Sequence, residues 1–293
     1  MQATFVSLFS NKILKKMKKV VLITGASSGI GKETAKLFAQ TGFKVIAVAR
    51  NTGKMKDLEN LDCSIFSMDV TNEESIQTAF KKIYSEYNQI DILINNAGYS
   101  QHGFVEELTL SQLKYQFDVN VFGLVRVTQM VLPKMREKQS GLIINIGSVG
   151  GGFTAAGAGA YHASKYALES FSDALRQELS SFGIKVSLIK PGGVETAFVD
   201  NSAFPDAISG NPYGKMRTNF LNMLSNILKS GNSSFPILKP IEVAKSILNT
   251  SQSSNPKTRI RIGRTAKIMP FIKSLLSDKG FDKMITKQLG LSK

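Results

Sequence analysis

Tyr161 and Lys165 stand four residues apart in a segment of helical spacing, so both side chains project from one face of a helix. A free phenol has a pKa of about 10, too high for efficient proton transfer at neutral pH, and a nearby ammonium group would favour the phenolate. Ser148 lies thirteen residues before Tyr161, at the end of an apolar run, where its hydroxyl could stabilise an oxyanion. Asn120 lies in the preceding helical segment. Together these residue types predict proton-transfer chemistry.

A glycine-rich segment follows the first predicted strand and opens the first predicted helix. Gly25, Gly29 and Gly31 have the spacing T-G-x-x-x-G-x-G. Glycine lets the backbone turn tightly and approach a ligand without a Cβ atom in the way, while backbone N–H groups at a helix start bind a pyrophosphate. A plain tight turn is the alternative when the segment is considered alone. The context favours a dinucleotide-binding loop made of Gly25, Ser27, Ser28, Gly29, Ile30 and Gly31.

The end of the second predicted strand indicates which dinucleotide binds. In dinucleotide-binding folds an acidic residue there binds the ribose hydroxyls of NAD, whereas an arginine suits a 2′-phosphate. This chain has Ala49 followed by Arg50, nineteen residues after Gly31. A guanidinium group can bind phosphate with two parallel hydrogen bonds. Arg50 therefore favours NADP(H), with NAD(H) as the alternative if Arg50 is only a surface residue.

The motifs follow the order and spacing of the classical short-chain dehydrogenase/reductase family, which the chain resembles from Val20 to Thr196. The matching features are the glycine-rich loop, the sequence NNAG at Asn95–Gly98, Asn120, Ser148, the Tyr161–Lys165 pair, and Pro191-Gly192 with Thr196. The resemblance implies a nicotinamide cofactor and hydride transfer to or from a carbonyl. Tyr161 would be the general acid in reduction and the general base in oxidation.

The same resemblance assigns roles to the other residues. Ser148 would orient the carbonyl, and Lys165 would lower the pKa of Tyr161 and hold the nicotinamide ribose. Asn120 would hold a water that links Lys165 to solvent. Asp69 and Val70 would contact the adenine, although a helix cap is the alternative for Asp69. The implied cofactor contacts also include Asn96, Ala97, Gly98, Tyr161, Lys165, Pro191, Gly192, Val194 and, at the carboxamide, Thr196.

Short apolar runs and helical segments alternate along the chain, and these elements must position the site. The runs are continuous rather than alternating, which is typical of strands covered on both faces. Strands that alternate with helices indicate a parallel sheet with helices on both faces. Residues 20–293 are therefore expected to form a single-domain, Rossmann-type, doubly wound α/β fold with a C-terminal substrate lid. The runs are Val20–Thr24, Val45–Ala49, Ile92–Asn95, Leu142–Ile146, Val186–Ile189 and Thr258–Ile262, and the clearest helices are Ile30–Gln40, Asn72–Tyr87 and Pro240–Asn249.

Residues 193–236 depart from this alternation and occur where family members build the substrate lid. They are rich in Gly, Asn, Ser and Pro yet carry Phe198, Phe204, Phe220 and Leu221. These side chains favour an apolar ligand, with a core-forming role as the alternative. Lid and tail together resemble the hydroxysteroid and retinol dehydrogenase branch, which implies a steroid-, retinoid- or fatty-type alcohol, ketone or aldehyde.

The two histidines are interpreted as packing or surface residues. His162 points away from the face that carries Tyr161 and Lys165. His102 comes just after NNAG, where relatives line the pocket, so substrate contact is the less favoured alternative for it.

The formal charge of +15 is concentrated at the two ends of the chain. Residues 1–19 form a basic extension with five lysines and no acid, whereas residues 254–293 carry ten Lys or Arg against two Asp. Nucleic-acid binding would need a basic patch on a recognisable module with stacking aromatics, so it is not expected. The basic amphipathic segment 258–293 is expected to pack over the substrate mouth or a subunit boundary, with peripheral membrane contact as the alternative.

Composition bounds the remaining properties. A single cysteine, Cys63, indicates a reducing compartment, so a cytoplasmic location is expected, with a membrane surface as the alternative. Two histidines and no CxxC pair predict no metal site. No apolar run approaches the roughly 20 residues that span a bilayer. The family resemblance implies a homodimer or homotetramer formed through the two long helices before and containing Tyr161.

The leading functional hypothesis is an NADP(H)-dependent oxidoreductase that acts on a lipophilic carbonyl or alcohol. One alternative is an NAD(H)-preferring dehydrogenase. The other is a non-catalytic dinucleotide-binding protein that uses its basic termini at a membrane or a partner surface. The presence of Asn120, Ser148, Tyr161 and Lys165 counts against that last alternative.

Overall fold

A parallel seven-stranded sheet lies at the centre of the computed structural model, which describes residues 18–196, 202–210, 212–229 and 236–288. The strand order is β3-β2-β1-β4-β5-β6-β7. The strands are β1 (Val20–Thr24), β2 (Lys44–Ala49), β3 (Ser64–Ser67), β4 (Ile92–Asn95), β5 (Gly141–Ile146), β6 (Ile184–Pro191) and β7 (Arg259–Ile262). The prediction of a doubly wound, single-domain α/β fold is confirmed.

Helices cover both faces of the sheet and bury one apolar cluster on each side. Helices α1, α2 and α8 pack on one face, and α3, α5 and α6 pack on the other. The helices are α1 (Gly29–Gln40), α2 (Lys56–Glu59), α3 (Glu73–Glu86), α4 (Leu110–Phe117), α5 (Gly123–Glu137), α6 (Gly159–Glu178), α7 (Gly214–Lys229), α8 (Pro240–Gln252), α9 (Arg264–Leu275) and α10 (Asp278–Gln288).

Several elements differ in length from the sequence-based expectation. Strand β6 pairs with β5 from Ile184 and with β7 as far as Pro191, so it extends at both ends beyond its predicted apolar run. Helix α8 continues past Asn249 to Gln252. The polar side chains of this last turn bond within the helix, since Thr250 Oγ1 donates to the Ser246 carbonyl at 2.7 Å. The helical segment that holds Asn120 is interrupted by a π-helical turn at Asp118–Phe122.

The strand order reverses between β1 and β4, which is where this type of sheet opens a crevice at its carboxyl edge. Chain order runs outward from β1 through β2 to β3 on one side and from β4 through β5 to β6 and β7 on the other. The loops after β1, β2, β4, β5 and β6 therefore meet at a single edge. Nearly all of the predicted site residues lie in or next to these loops.

The lid and the tail are mainly helical where they are described. Helix α7 lies in the predicted lid. Phe198, one of the apolar residues predicted for the lid, and the basic residues 1–17 lie outside the described residues. The predicted amphipathic tail is two helices, α9 and α10. Within the described ranges, no helix has both the length and the apolar character needed to cross a membrane.

Candidate active site

The glycine-rich loop between β1 and α1 forms a narrow cradle in which side chains would clash. Gly25 and Gly29 adopt positive φ angles of 67° and 53°. A Cβ atom at Gly25 would lie 2.8 Å from the Cα of Ala97, and one at Gly31 would collide with the Asn96 amide and the Gly25 carbonyl. Ser28, the cap residue of α1, makes no side-chain capping bond. The cradle therefore fits a pyrophosphate bound by backbone N–H groups.

The NNAG segment after β4 holds this loop in place. Thr24 Oγ1 accepts hydrogen bonds from the backbone N–H groups of Asn96 (2.9 Å) and Ala97 (3.0 Å). Asn96 Nδ2 donates to the carbonyls of Thr24 at 3.0 Å and Gly25 at 3.2 Å. The predicted cofactor residues Asn96 and Ala97 are thus brought against the glycine-rich loop, and the Asn96 side chain shapes it.

Arg50 extends from the end of β2 and is held by a tyrosine that sequence analysis did not select. Its Nη1 atom donates to the hydroxyl of Tyr115 at 2.8 Å, and the exposed guanidinium keeps further donors for a ligand. The Tyr115 ring meets the Tyr99 ring edge-on, with centroids 5.0 Å apart. No sequence signal links Arg50 with Tyr115, because 65 positions separate them.

Asp69 does not cap α3, so the alternative interpretation of this residue is wrong. The cap is Asn72, whose Oδ1 accepts from the Ser75 N–H at 2.7 Å. Asp69 instead accepts from the backbone N–H and the hydroxyl of Thr71, at 2.9 and 2.8 Å. The neighbouring Val70 packs against Gly123 at the start of α5.

Tyr161 lies next to Ser148 beyond the carboxyl end of β5. Burial raises the pKa of Tyr161, and a side-chain hydrogen bond with Ser148 acts in the opposite direction. Ser148 also accepts from the Gly150 N–H at 3.0 Å, which fixes its hydroxyl at the start of a short helical turn. The predicted proton donor and the predicted oxyanion donor are therefore brought together.

Lys165 is buried one helical turn after Tyr161. Its Nζ atom donates to the Ile146 carbonyl at 3.1 Å and lies 5.8 Å from the centroid of the Tyr161 ring. Burial lowers the pKa of Lys165 to about 8. Burial is the largest influence on the pKa of both groups, and the expectation that Lys165 lowers the pKa of Tyr161 stays a prediction.

Asn120 in the π-helical turn ties together the chain segments that surround the catalytic pair. Its Oδ1 accepts from the Tyr99 N–H at 2.8 Å, and its Nδ2 donates to the Tyr99 carbonyl and to Ser164 Oγ, both at 3.0 Å. Both amide hydrogens are thus used within the protein. Only the second lone pair of Oδ1 is left on this side chain for the water that the family resemblance implies.

The segment after β6 reaches back to the glycine-rich loop. Gly192 donates its N–H to the Ile262 carbonyl at 3.0 Å, and Val194 pairs with Leu238. A Cβ atom at Gly29 would lie 3.0 Å from Thr196 Cγ2. The predicted residues from Pro191 to Thr196 therefore run along the edge of the cradle.

An aromatic wall defined by His102, Phe204 and Phe220 stands beside Tyr161. The His102 ring lies 6.4 Å from the Tyr161 ring, 5.3 Å from that of Phe204 and 5.4 Å from that of Phe220, measured between centroids. Burial lowers the pKa of His102 to about 4, so the ring is neutral at physiological pH. The less favoured interpretation of His102, as a pocket residue, fits this placement. His162 packs as expected, with Nδ1 at the Phe153 carbonyl.

The lid is fastened to the loop before α4 by contacts that the sequence did not reveal, made by Arg217 on α7 and by Tyr213 just before it. Arg217 Nη2 lies 2.8 Å from Glu107 Oε1, whose side chain is fully buried, and Arg217 Nη1 donates to the Pro205 carbonyl at 2.7 Å. The Tyr213 ring stacks on Phe104 with centroids 4.6 Å apart. These contacts hold the lid against the loop that carries His102.

Comparison with known proteins identifies clear relatives. A family model described as short chain dehydrogenase matches residues 19–205. The chain is 36% identical over 260 residues to 3-ketodihydrosphingosine reductase from Bacteroides thetaiotaomicron, covering 87% of this chain and 91% of that protein. A short-chain dehydrogenase structure from Streptomyces avermitilis superposes with a TM-score of 0.78 at 32% identity, covering 89% and 94%. A serine dehydrogenase complexed with NADP+ gives a TM-score of 0.71 at 29% identity, covering 83% and 94%.

The ion pair at the lid leads to a prediction about stability. Arg217→Ala leaves the Glu107 carboxylate buried without its partner, so we expect a loss of about 3 kcal/mol in the free energy of unfolding. Denaturant titration measures it. The double variant Glu107→Gln/Arg217→Met, which removes both charges, should recover most of that loss. A change below about 0.5 kcal/mol for Arg217→Ala would contradict a buried ion pair.

Proposed function

Because the chain belongs to the short-chain dehydrogenase/reductase family and is an oxidoreductase acting on CH–OH groups with NAD(P), we propose that it prefers NADP(H) and acts on a lipophilic substrate. The reaction moves a hydride between the nicotinamide and a ketone, aldehyde or alcohol. Tyr161 is the general acid and base. A non-catalytic dinucleotide-binding role has no support left, since the chain belongs to an enzyme family.

The aromatic wall beside Tyr161 is the observation that carries the substrate class. Neutral His102 and the rings of Phe204 and Phe220 form a largely buried aromatic cluster beside Tyr161, which favours an apolar substrate group at this side of the site. The relative named 3-ketodihydrosphingosine reductase is named for a ketone of a sphingoid base, which agrees with this class. The proposal therefore covers steroid-, retinoid- and fatty-type substrates.

When bound, the nicotinamide supplies or accepts the hydride, and the chain's own residues orient the substrate and move the proton. Ser148 donates a hydrogen bond to the carbonyl oxygen of the substrate. In the free protein the Ser148 side chain is hydrogen-bonded to Tyr161. In reduction, the Tyr161 hydroxyl gives its proton to that oxygen; in oxidation, Tyr161 takes the proton from the alcohol. Lys165 would hold the nicotinamide ribose, and Asn120 positions the π-helical turn and α6 through Tyr99 and Ser164.

The preference for NADP(H) rests on Arg50. Its guanidinium lies just after the end of β2, and the last residue of that strand is Ala49 rather than an acidic residue. The Tyr115 hydroxyl accepts a hydrogen bond from this guanidinium. The remaining donors are free to bind a 2′-phosphate in a fork geometry. NAD(H) preference is the alternative that the cofactor experiment below distinguishes.

Oligomeric state and location are parts of the same proposal. Exposed apolar side chains lie on the π-helical turn before α5 and on α6, namely Phe122, Tyr166 and Phe171. Pairing of copies through these elements would cover them and give a homodimer or homotetramer. A cytoplasmic location agrees with a single cysteine, Cys63, that is free and buried.

Replacement of Tyr161 by Phe should remove the proton donor and keep the fold and the cofactor cradle. We expect the turnover number to fall by about 100-fold or more, because general acid–base catalysis contributes on this scale. NADPH oxidation against a panel of lipophilic ketones and aldehydes measures turnover, and fluorescence titration measures NADPH affinity, which should change little.

Tyr166→Phe is the matched control, since it removes a phenolic hydroxyl from the same helix at an exposed position. It should retain wild-type turnover. A Tyr161→Phe variant with more than about a tenth of wild-type turnover would show that another group donates the proton.

The cofactor preference should depend on Arg50 and, through it, on Tyr115. Arg50→Ala should reduce the NADPH-to-NADH ratio of kcat/KM by about 10- to 100-fold, because it removes charge-assisted hydrogen bonds. Tyr115→Phe should reduce the same ratio by about 2- to 10-fold, and should add little in the double variant, because both act on one contact.

Tyr84→Phe serves as the control for Tyr115→Phe, since the Tyr84 hydroxyl donates to the Met130 carbonyl, a contact on α5 away from β2. The ratio should stay at its wild-type value in this variant. A wild-type preference for NADH, or an unchanged ratio in Arg50→Ala, would contradict the proposed cofactor.

A further inference from the structure

Helices α9 and α10 use one side of the tail to pack onto the lid. Met269, Phe281 and Ile285 are buried in a cluster that also contains Ala158 before α6 and Phe220 on α7. The Phe153 and Phe281 rings meet edge-on, with centroids 6.1 Å apart. This side of the two helices is therefore buried, as expected for a tail that packs over the substrate mouth.

The opposite side of α9 remains apolar although it faces solvent. Phe271 and Leu275 are four residues apart and therefore lie on one face, with 62% and 68% of their surface exposed. Leu276, directly after the helix, is 40% exposed. Single exposed apolar residues are ordinary, but three large ones within six positions form a patch.

A row of lysines follows this patch along the chain. Lys279, Lys283 and Lys287 recur every four residues on α10, are all exposed, and thus share one helix face. Within the described part of the chain, none of the three forms an ion pair with a carboxylate. Residues 254–293 contain ten Lys or Arg and two Asp, so the region is strongly cationic.

We propose that this tail surface, made of Phe271, Leu275 and Leu276 with Lys279, Lys283 and Lys287, docks onto an anionic lipid bilayer. Apolar side chains enter the boundary between headgroups and acyl chains, and the lysines remain at the level of the anionic headgroups. The combination of exposed apolar and unpaired cationic groups is complementary to such a surface. A second copy of the chain would bring like charges together, which disfavours that occupant.

Docking places the membrane close to the lid. Phe220 packs in the cluster with α9 and α10, and its ring lies 5.4 Å from that of His102 in the aromatic wall. The buried sides of α9 and α10 thus contact the wall through Phe220, and the tail surface lies on the outer side of these two helices. If the substrate class proposed above is correct, a lipid-dissolved substrate reaches the site without crossing bulk water; the docking itself does not depend on that class.

Co-sedimentation of the full chain with lipid vesicles tests the proposal. We expect binding to phosphatidylcholine vesicles that contain about a third phosphatidylglycerol, weak binding to phosphatidylcholine alone, and loss of binding at high salt. The variant Phe271→Ser/Leu275→Ser and the variant Lys279→Gln/Lys283→Gln/Lys287→Gln should each bind the anionic vesicles at least about tenfold more weakly.

Two controls distinguish binding through this surface from non-specific hydrophobic or electrostatic binding of the protein to vesicles. Val105→Ser/Leu110→Ser removes two exposed apolar side chains elsewhere, and Lys81→Gln/Lys82→Gln removes two exposed lysines on α3. Both should bind like the wild type. All variants should keep wild-type turnover of a small water-soluble ketone without vesicles, so failure of docking is distinguishable from failure of the proposed reaction.

Several outcomes would overturn the proposal. If the wild-type protein does not co-sediment with anionic vesicles, the surface binds a different partner, such as an acidic protein. Undiminished binding by both tail variants would assign membrane contact to another segment, for example the basic residues 1–19. A change of oligomeric state in the Phe271→Ser/Leu275→Ser variant, with vesicle binding unchanged, would identify the surface as a contact between copies.

Discussion

Lys165 is buried and Tyr161 is half-buried at the carboxyl edge of the sheet, and this removal from water is the constraint on which the rest of the site depends. Removal from water raises the pKa of the phenol and lowers that of the ammonium to about 8, so both groups are displaced toward their neutral forms. A buried polar group is costly unless it is hydrogen-bonded. The side chain of Ser148 and the carbonyl of Ile146 meet that need within the protein. The positive charge of an oxidised nicotinamide would act against this effect of burial and favour the phenolate.

A buried hydrogen-bond network holds these groups in place beneath the site. Asn95 at the end of β4 donates to Asn145 Oδ1 on β5 at 2.9 Å, and Asn145 donates to Ser172 on α6 at 2.9 Å. Asn120 adds the link from the π-helical turn to α6 through Ser164. Such networks rigidify a core when their members are paired. The helix that carries Tyr161 is therefore fixed against β4 and β5.

Local motifs were predictable from the sequence, whereas contacts between distant segments were not. The glycine-rich loop and the Tyr161–Lys165 spacing depend on backbone geometry over a few residues, which a sequence pattern records. The Arg50–Tyr115 bond and the Glu107–Arg217 ion pair join segments 65 and 110 positions apart, and only tertiary packing decides them. The effect of Lys165 on the pKa of Tyr161 stays a prediction for a related reason, because spacing on a helix does not reveal how far burial shifts the pKa of either group.

We expect Tyr161 to be an acid–base group whose ionisation depends on the bound cofactor. A pH titration of tyrosinate absorbance, taken as the difference between wild type and Tyr161→Phe, measures the pKa of this phenol directly. The account predicts a value above the ordinary pKa of about 10 in the free protein and a clearly lower value when NADP+ is bound. An unshifted pKa in the free protein, or one that NADP+ leaves unchanged, would contradict it.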